Sequence, residues 1–202
     1  MDQTKYTEKE KAIFKGLMGL IKKGYNPYTI KVSDIAKSAN IGKGTVYDYF
    51  TSKEEAISKA ILYYIDKEME YAYDRVLSKK NFRDKFFELL HIINDGSKNN
   101  GSIYNMIFSS NGITEFYQHL SDIEIGIKKC IEIVYTLIKD LLDTGIKEGL
   151  INVDEDSYYL NTAIRSAVAG FSHYISKKEK YNEITTEEAM EVSYKILLKS
   201  LN

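Results

Sequence analysis

Pro27 is the one proline in 202 residues, so almost the whole chain is free to be helical. A proline inside a helix removes a hydrogen bond and clashes with the preceding turn, and here only one position carries that interruption. Apolar residues then recur at helical spacing nearly everywhere, while only "YTIKVS" is β-prone and no hairpin signal appears. The expected fold is all-α, with about nine helices and no repeat period. Hydrophobic residues at 44% and charged residues at 28% fit a soluble globular protein long enough to bury a sizeable core.

Cys130, the single cysteine, rules out an internal disulfide, fits a reducing compartment and reads as a small buried apolar residue. No run of about 18 apolar residues exists, and the polar opening "MDQTKYTEKEKAIFKG" is no signal peptide. A cytoplasmic protein without a membrane partner is expected. The formal net charge of −1 hides an asymmetry. Residues 1–54 hold ten lysines against six acidic residues, whereas 55–202 hold 18 basic against 23 acidic ones. Only the first part is suited to meet a polyanion.

The helix signals run in order. Ile13, Leu17, Leu20 and Ile21 form one stripe, opened by a Thr7/Glu10 capping box and ended at Gly24 with Pro27 behind. Ser33 is placed to cap a short helix from Asp34 to Ala39, and Asn40, which tolerates the left-handed conformation, interrupts. A second short helix is expected from Lys43 to Phe50. A Ser52/Glu55 capping box opens a long one from Lys53 to about Leu77. Beyond it, "NFRDKFFELLHIINDG" reads as a helix stopped by Gly96, and "SIYNMIFSS" as a shorter one. A long helix ended by Gly149, a wide-faced apolar helix containing "NTAIRSAVAGF", and a last helix capped by Thr185 and Glu188 complete the chain.

Residues Ile35 to Phe50 fit a helix-turn-helix. Ala36 and Ala39 are small where two helices must approach, Asn40 sits at the tight turn, and Ile41 plugs the corner. Val46 and Phe50, four apart, share the inward face of the second helix. Tyr47 and Tyr49 must then point elsewhere, and a phenol hydroxyl pointing outward can donate to a phosphate while its ring packs on sugar. Lys43 adds charge at a helix N-terminus whose dipole already favours an anion. Gly42 and Gly44 let the backbone approach DNA. Thr45 and Asp48 are the polar side chains best placed for base edges: Thr45 through its methyl or hydroxyl, Asp48 by accepting from cytosine N4 or by fixing orientation through phosphate repulsion.

The stretch "VSDIAKSANIGKGTVYDYFTSKEEAI" resembles the N-terminal DNA-binding domain of the TetR family of bacterial transcriptional repressors. The match falls on Lys43, Gly44, Thr45, Tyr47, Tyr49, Phe50, Ser52, Lys53 and Glu54. The resemblance implies that Ser33, Tyr47, Tyr49 and Lys53 contact backbone phosphates, and that Lys43, Gly44, Thr45 and Asp48 line the major groove. Asn40 stands where the family usually has glycine, and Gly42 where it often has serine, which removes a capping hydroxyl. The resemblance also implies a homodimer, with the last two long helices pairing across a two-fold axis. Two recognition helices about 34–36 Å apart would then read successive major grooves of a double-stranded operator.

The remainder is expected to hold a small-molecule effector in an apolar pocket with few polar anchors. His91, Tyr104, Phe108, Tyr135, Arg165 and Phe171 are the candidate lining residues, although for any single one core packing is the favoured reading. A guanidinium buried in "NTAIRSAVAGF" would need a partner, either an internal carboxylate or an anionic ligand. "GKGT" lacks the first glycine of a phosphate-binding P-loop and follows no strand. His91, His119 and His173 have no metal-ligand spacing. No cofactor, metal or catalytic residue is expected. The chain therefore divides into a DNA-binding domain, 1–52, and an effector and dimerisation domain, 53–202, of a ligand-responsive regulator rather than an enzyme. The competing expectation is a helical small-molecule-binding protein or enzyme with a non-functional DNA-binding head.

Overall fold

The structure is a computed structural model that describes residues 6–23, 25, 29–108, 124–151 and 156–201, with backbone alone at 98–108, 124–127 and 129–130. Among the described residues there is no strand. The described residues form eight α-helices: α1 (Glu8–Lys22), α2 (Val32–Ser38), α3 (Lys43–Tyr49), α4 (Lys53–Leu77), α5 (Phe82–Phe108), α6 (Glu124–Lys147), α7 (Ser157–Ser176) and α8 (Thr186–Leu201). A short 3-10 turn, Lys178–Lys180, precedes α8. The chain divides into two compact units, one built on residues through Glu68 with the opening of α6 through Lys128, the other on the rest from Met69.

In the first unit, α1 begins at the anticipated capping box: the Thr7 amide donates to the Glu10 carboxylate at 2.7 Å and the Glu10 amide donates to Thr7 Oγ1 at 3.3 Å. Its apolar stripe buries Ile13, Leu17 and Leu20, while Ile21 is half-buried. The expected stop at Gly24 and Pro27 lies outside the described residues. The start of α2 differs from expectation. The helix opens at Val32, so Ser33 is an exposed first-turn residue rather than the cap. Asp34 does the capping, its carboxylate accepting from the Lys31 amide at 3.3 Å, because a carboxylate three residues into a helix reaches back to a free amide.

Helix α1 crosses α2 at Gly16. A Cβ there would sit 2.9 Å from the Ala39 amide nitrogen and 3.0 Å from the Ser38 carbonyl carbon, so only glycine permits this approach. Ser38 Oγ donates to the Gly16 carbonyl at 2.9 Å across the same gap. The unit's core is aromatic. Phe14 packs on Phe50 at 5.8 Å and on Tyr63 at 5.3 Å, and Tyr6 meets Phe14 edge-on at 4.9 Å. Such edge and offset contacts exceed simple area burial because the ring edge is positive and the face negative.

In the second unit, Phe82, Phe86, Leu90, Ile164, Met190 and Leu197 anchor one apolar core shared by α5, α6, α7 and α8. A smaller cluster of Ala72, Val76, Ile92 and Leu137 joins the end of α4 to α5 and α6. Several buried polar groups here are paired, whereas the buried Ser172 Oγ has no hydrogen-bond partner. Lys85 Nζ donates to the Asp140 carboxylate at 2.6 Å and to Thr144 Oγ1 at 2.8 Å. Glu88 receives Arg75 and, at 3.1 Å, Lys79, and these cations hold its carboxyl below the usual range against the opposing cost of burial. The first turn of α5 is capped from a distance, with the Phe82 amide donating to Glu148 at 3.0 Å. Beside it, Gly145 leaves room that a Cβ would take within 2.5 Å of Ile151 and 2.8 Å of Phe82.

Two expectations for this part are corrected. Gly96 does not end a helix; α5 runs straight through it from Phe82 to Phe108, and the glycine is buried, so the two helices expected on either side of it are one element over the described residues. A mid-helix glycine costs about 1 kcal/mol, which the continuous packed face of α5 outweighs. That merger brings the helix count to eight among the described residues. The other stops hold: Gly149 takes φ 69° at the end of α6, and α8 opens at the Thr185/Glu188 capping box.

Candidate nucleic-acid interface

The exposed surface around α3 follows from one turn and one plug. Asn40 adopts φ 55°, the only positive value among described non-glycine residues. Its amide donates to the Lys37 carbonyl at 3.2 Å, and the Ile41 amide donates to the Ala36 carbonyl at 3.0 Å. These two bonds form a Schellman motif, which satisfies the last carbonyls of α2 and redirects the chain sharply. Gly42 then caps α3 by backbone alone, with no side-chain bond to the free amides. Val46 and Phe50 are 1% and 2% exposed, so one side of this two-turn helix is fixed to the core.

The opposite side lies open. Tyr47 is 52% exposed, and Lys43, Gly44 and Asp48 are exposed as well, while Thr45 and Tyr49 are half-buried. Exposed Ser33 and Lys37 on α2, with Lys31 at its start, belong to the same unit. Lys53 differs from the rest: its side chain is only 24% exposed and lies 3.4 Å from the Glu54 carboxylate. The structure thus leaves Lys43, Gly44, Tyr47 and Asp48 exposed, and holds Thr45, Tyr49 and Lys53 closer to the protein. An anion meeting this surface finds lysines, a phenol and glycines without shielding side chains, which is the chemistry of phosphate and groove contact.

Sequence reasoning missed how the exit from α3 is held. Glu55 was expected to pair with Ser52, and its amide does donate to Ser52 Oγ at 3.0 Å. Its carboxylate instead accepts from the Thr51 amide and the Thr51 hydroxyl, both at 2.6 Å. The other oxygen accepts from Lys59 at 2.6 Å. Bonds from Lys59 first, then from Thr51, hold the Glu55 carboxyl down at about 2. Lys59 Nζ in turn lies 5.8 Å from the Phe50 ring centroid. The Glu-to-Lys spacing of four was a legible signal for the ion pair. The bonds to Thr51 carried no comparable signal.

Of the candidate effector residues, His91, Tyr135 and Arg165 are exposed, and Phe171 is 2% exposed inside the core, stacked on Tyr174 at 6.1 Å. The Arg165 guanidinium therefore needs no buried counter-charge. The side chains of Tyr104 and Phe108 lie outside those described. Among the described residues, no cluster of His, Cys, Asp and Glu is arranged to hold a metal, and no helix is long and apolar enough to cross a membrane.

A small helical head with a short exposed helix behind a left-handed turn is a helix-turn-helix. Residues 17–60 match the family model described as bacterial regulatory proteins, tetR family. The likeness to that family is carried by the head, residues 17–60. It is 40% identical over 78 residues to an uncharacterized HTH-type transcriptional regulator, YuxN, of Bacillus subtilis (strain 168). That match covers 38% of this chain and only 25% of that protein's length. The fold is shared far more widely. MbdR from Azoarcus sp. CIB superposes with a TM-score of 0.65 at 20% identity, over 96% of this chain and 99% of that one. FadR from Bacillus subtilis, solved in complex with stearoyl-CoA, gives 0.61 at 18% identity, over 95% and 97%.

Proposed function

We propose that the protein is a ligand-responsive, DNA-binding transcriptional regulator, a repressor released from a palindromic operator by a small molecule. The observation that carries this is the split of α3: Val46 and Phe50 closed into the core, Tyr47, Lys43 and Asp48 open to solvent. A helix-turn-helix kept only for packing has no use for that outward set, which also argues against a non-functional head. Ser33, Lys43, Tyr47, Tyr49 and Lys53 are assigned to phosphates, and Gly44, Thr45 and Asp48 to the major groove. Lys53 reaches a phosphate by exchanging its contact with Glu54.

Residues 1–52 serve as the DNA-binding domain and 53–202 as the effector and dimerisation domain of a cytoplasmic homodimer. Helices α7 and α8 supply the pairing surface, with Val192 and Ile196 55% and 53% exposed on α8 and Ala169 and Gly170 exposed on α7. His91, Tyr104, Phe108, Tyr135 and Arg165 stay assigned to the effector region, whereas Phe171 acts as core. The stearoyl-CoA held by FadR makes long-chain acyl-CoA the first effector to try. A ligand releases DNA only through its differential affinity for a state with wrongly spaced recognition helices.

Duplex binding at graded salt tests the proposal. Affinity should fall steeply with salt, leaving a preference for one palindrome selected from a random pool. Tyr47→Phe and Lys53→Ala should weaken binding across all sequences, whereas Thr45→Ala should change the preference. Equal losses on every sequence for all three would remove the role assignment, and no selected sequence would remove the function.

A further inference from the structure

We propose that Glu55 is a positioning residue for DNA recognition, its carboxylate clamping the exit of α3 so that the outward face of that helix is held at a fixed orientation. The proposal rests on the DNA-binding function above. Glu55 carries a negative charge in a head meant for a polyanion, which is a liability unless the charge is spent on structure. The geometry shows where it goes. One oxygen takes both donors of Thr51, and the other takes Lys59. Thr51 directly follows Phe50, the residue that seals α3 into the core, and the Phe50 amide closes the helix on the Val46 carbonyl at 3.0 Å.

The clamp therefore acts on the three-residue link between α3 and α4, Phe50 to Ser52, with no direct approach to DNA required of it. A backbone amide held by a carboxylate is a strong, directional bond, and here two such donors converge on one oxygen. Lys59 completes the set, bonded to Glu55 and lying near the Phe50 ring. An ordinary helix cap would need only the Ser52 hydroxyl, which the Glu55 amide already uses. The additional bonds to Thr51 fix the segment before the helix, which is the part that sets the direction of α3.

The sign of a charge-removing substitution separates this role from simple electrostatics. Removing a carboxylate from a basic head should strengthen attraction to any duplex. Positioning predicts a divergence instead. With full-length Glu55→Gln, affinity for the duplex selected by the wild-type protein should fall about tenfold, the scale of one lost charge-assisted bond. Affinity for a scrambled duplex at the same salt should stay level or rise. Thr51→Val, which keeps the backbone donor and loses the hydroxyl, should show the same divergence at smaller amplitude. A rise on both duplexes, or an equal fall on both, would overturn the proposal, and so would an unchanged ratio in Thr51→Val. Should the wild-type protein select no duplex, the failure would belong to the DNA-binding function rather than to Glu55. If Glu55→Gln fails to fold, Lys59→Met reads the same ratio with the carboxylate and Thr51 intact, and no loss of preference there would overturn the proposal.

Discussion

The two units of this protein solve the same problem, burying a helical core, with different chemistry. The head packs short helices through aromatic rings and close backbone contact: Phe14, Phe50, Tyr63 and the Gly16 notch. The second unit packs long helices around aliphatic and phenylalanine side chains and adds partly buried ion pairs, Lys85 with Asp140 and Arg75 and Lys79 with Glu88. Short helices have little intrinsic stability, so the head depends on a few large side chains and two rigid turns. Long helices can carry the desolvation cost of buried charges and gain fixed register in return. Where an outward surface must be held in one orientation, as around α3, the head's rigid design fits.

Substitutions can break this contrast. The largest effect is expected from Phe50→Ala, which opens a cavity beside Phe14 and should destabilise the head by about 3–5 kcal/mol. Chemical denaturation followed by tyrosine fluorescence should show a first transition moved to low denaturant. Asp140→Ala leaves Lys85, with 9% side-chain exposure, without its carboxylate. About 3 kcal/mol should then be lost from the second unit, leaving the head's transition in place. Gly16→Ala forces a Cβ against the Ser38 and Ala39 backbone and should cost about 1–3 kcal/mol in the head. Its partner test is Gly145→Ala, where the clash falls on the side chains of Ile151 and Phe82 and the cost should be lower, since side chains yield more readily than backbone.

The smallest effect concerns acid. The Glu55 carboxyl is held down at about 2 by Lys59 and Thr51. A depressed carboxyl stabilises the fold above its unfolded value, about 4.3, and that contribution fades as pH falls from there toward 2. Because this group is near the surface, the change should be modest. Comparing the acid limb of the wild-type melting temperature with that of Glu55→Gln should show a flatter limb in the variant over that range.

The same contrast explains what could be read from the sequence. The head is encoded locally. Asn40 for the left-handed turn, Val46 and Phe50 as the inward pair, and the Thr7/Glu10 box all sit within a few residues of their partners, so spacing reveals them. The cap of α2 was misplaced by two residues because Ser33 and Asp34 are both good capping residues and only geometry chooses between them. The second unit is encoded at a distance. Phe82 is capped by Glu148, and Lys85 pairs with Asp140, across separations that no periodicity reports. Arg165 looked buried because its neighbours are apolar, yet its own position on α7 faces outward. Gly96 looked like a stop because local propensity disfavours it, and the packing of α5 overrode that preference.

The most direct measurement is methylation protection of guanine N7, an atom that lies in the major groove, on a duplex selected by the protein. The account predicts protection in two half-sites centred about 10 base pairs apart, and loss of that protection when Tyr47 and Lys43 are both replaced by alanine. A bound duplex with every N7 still reactive would contradict the placement of α3 in the major groove.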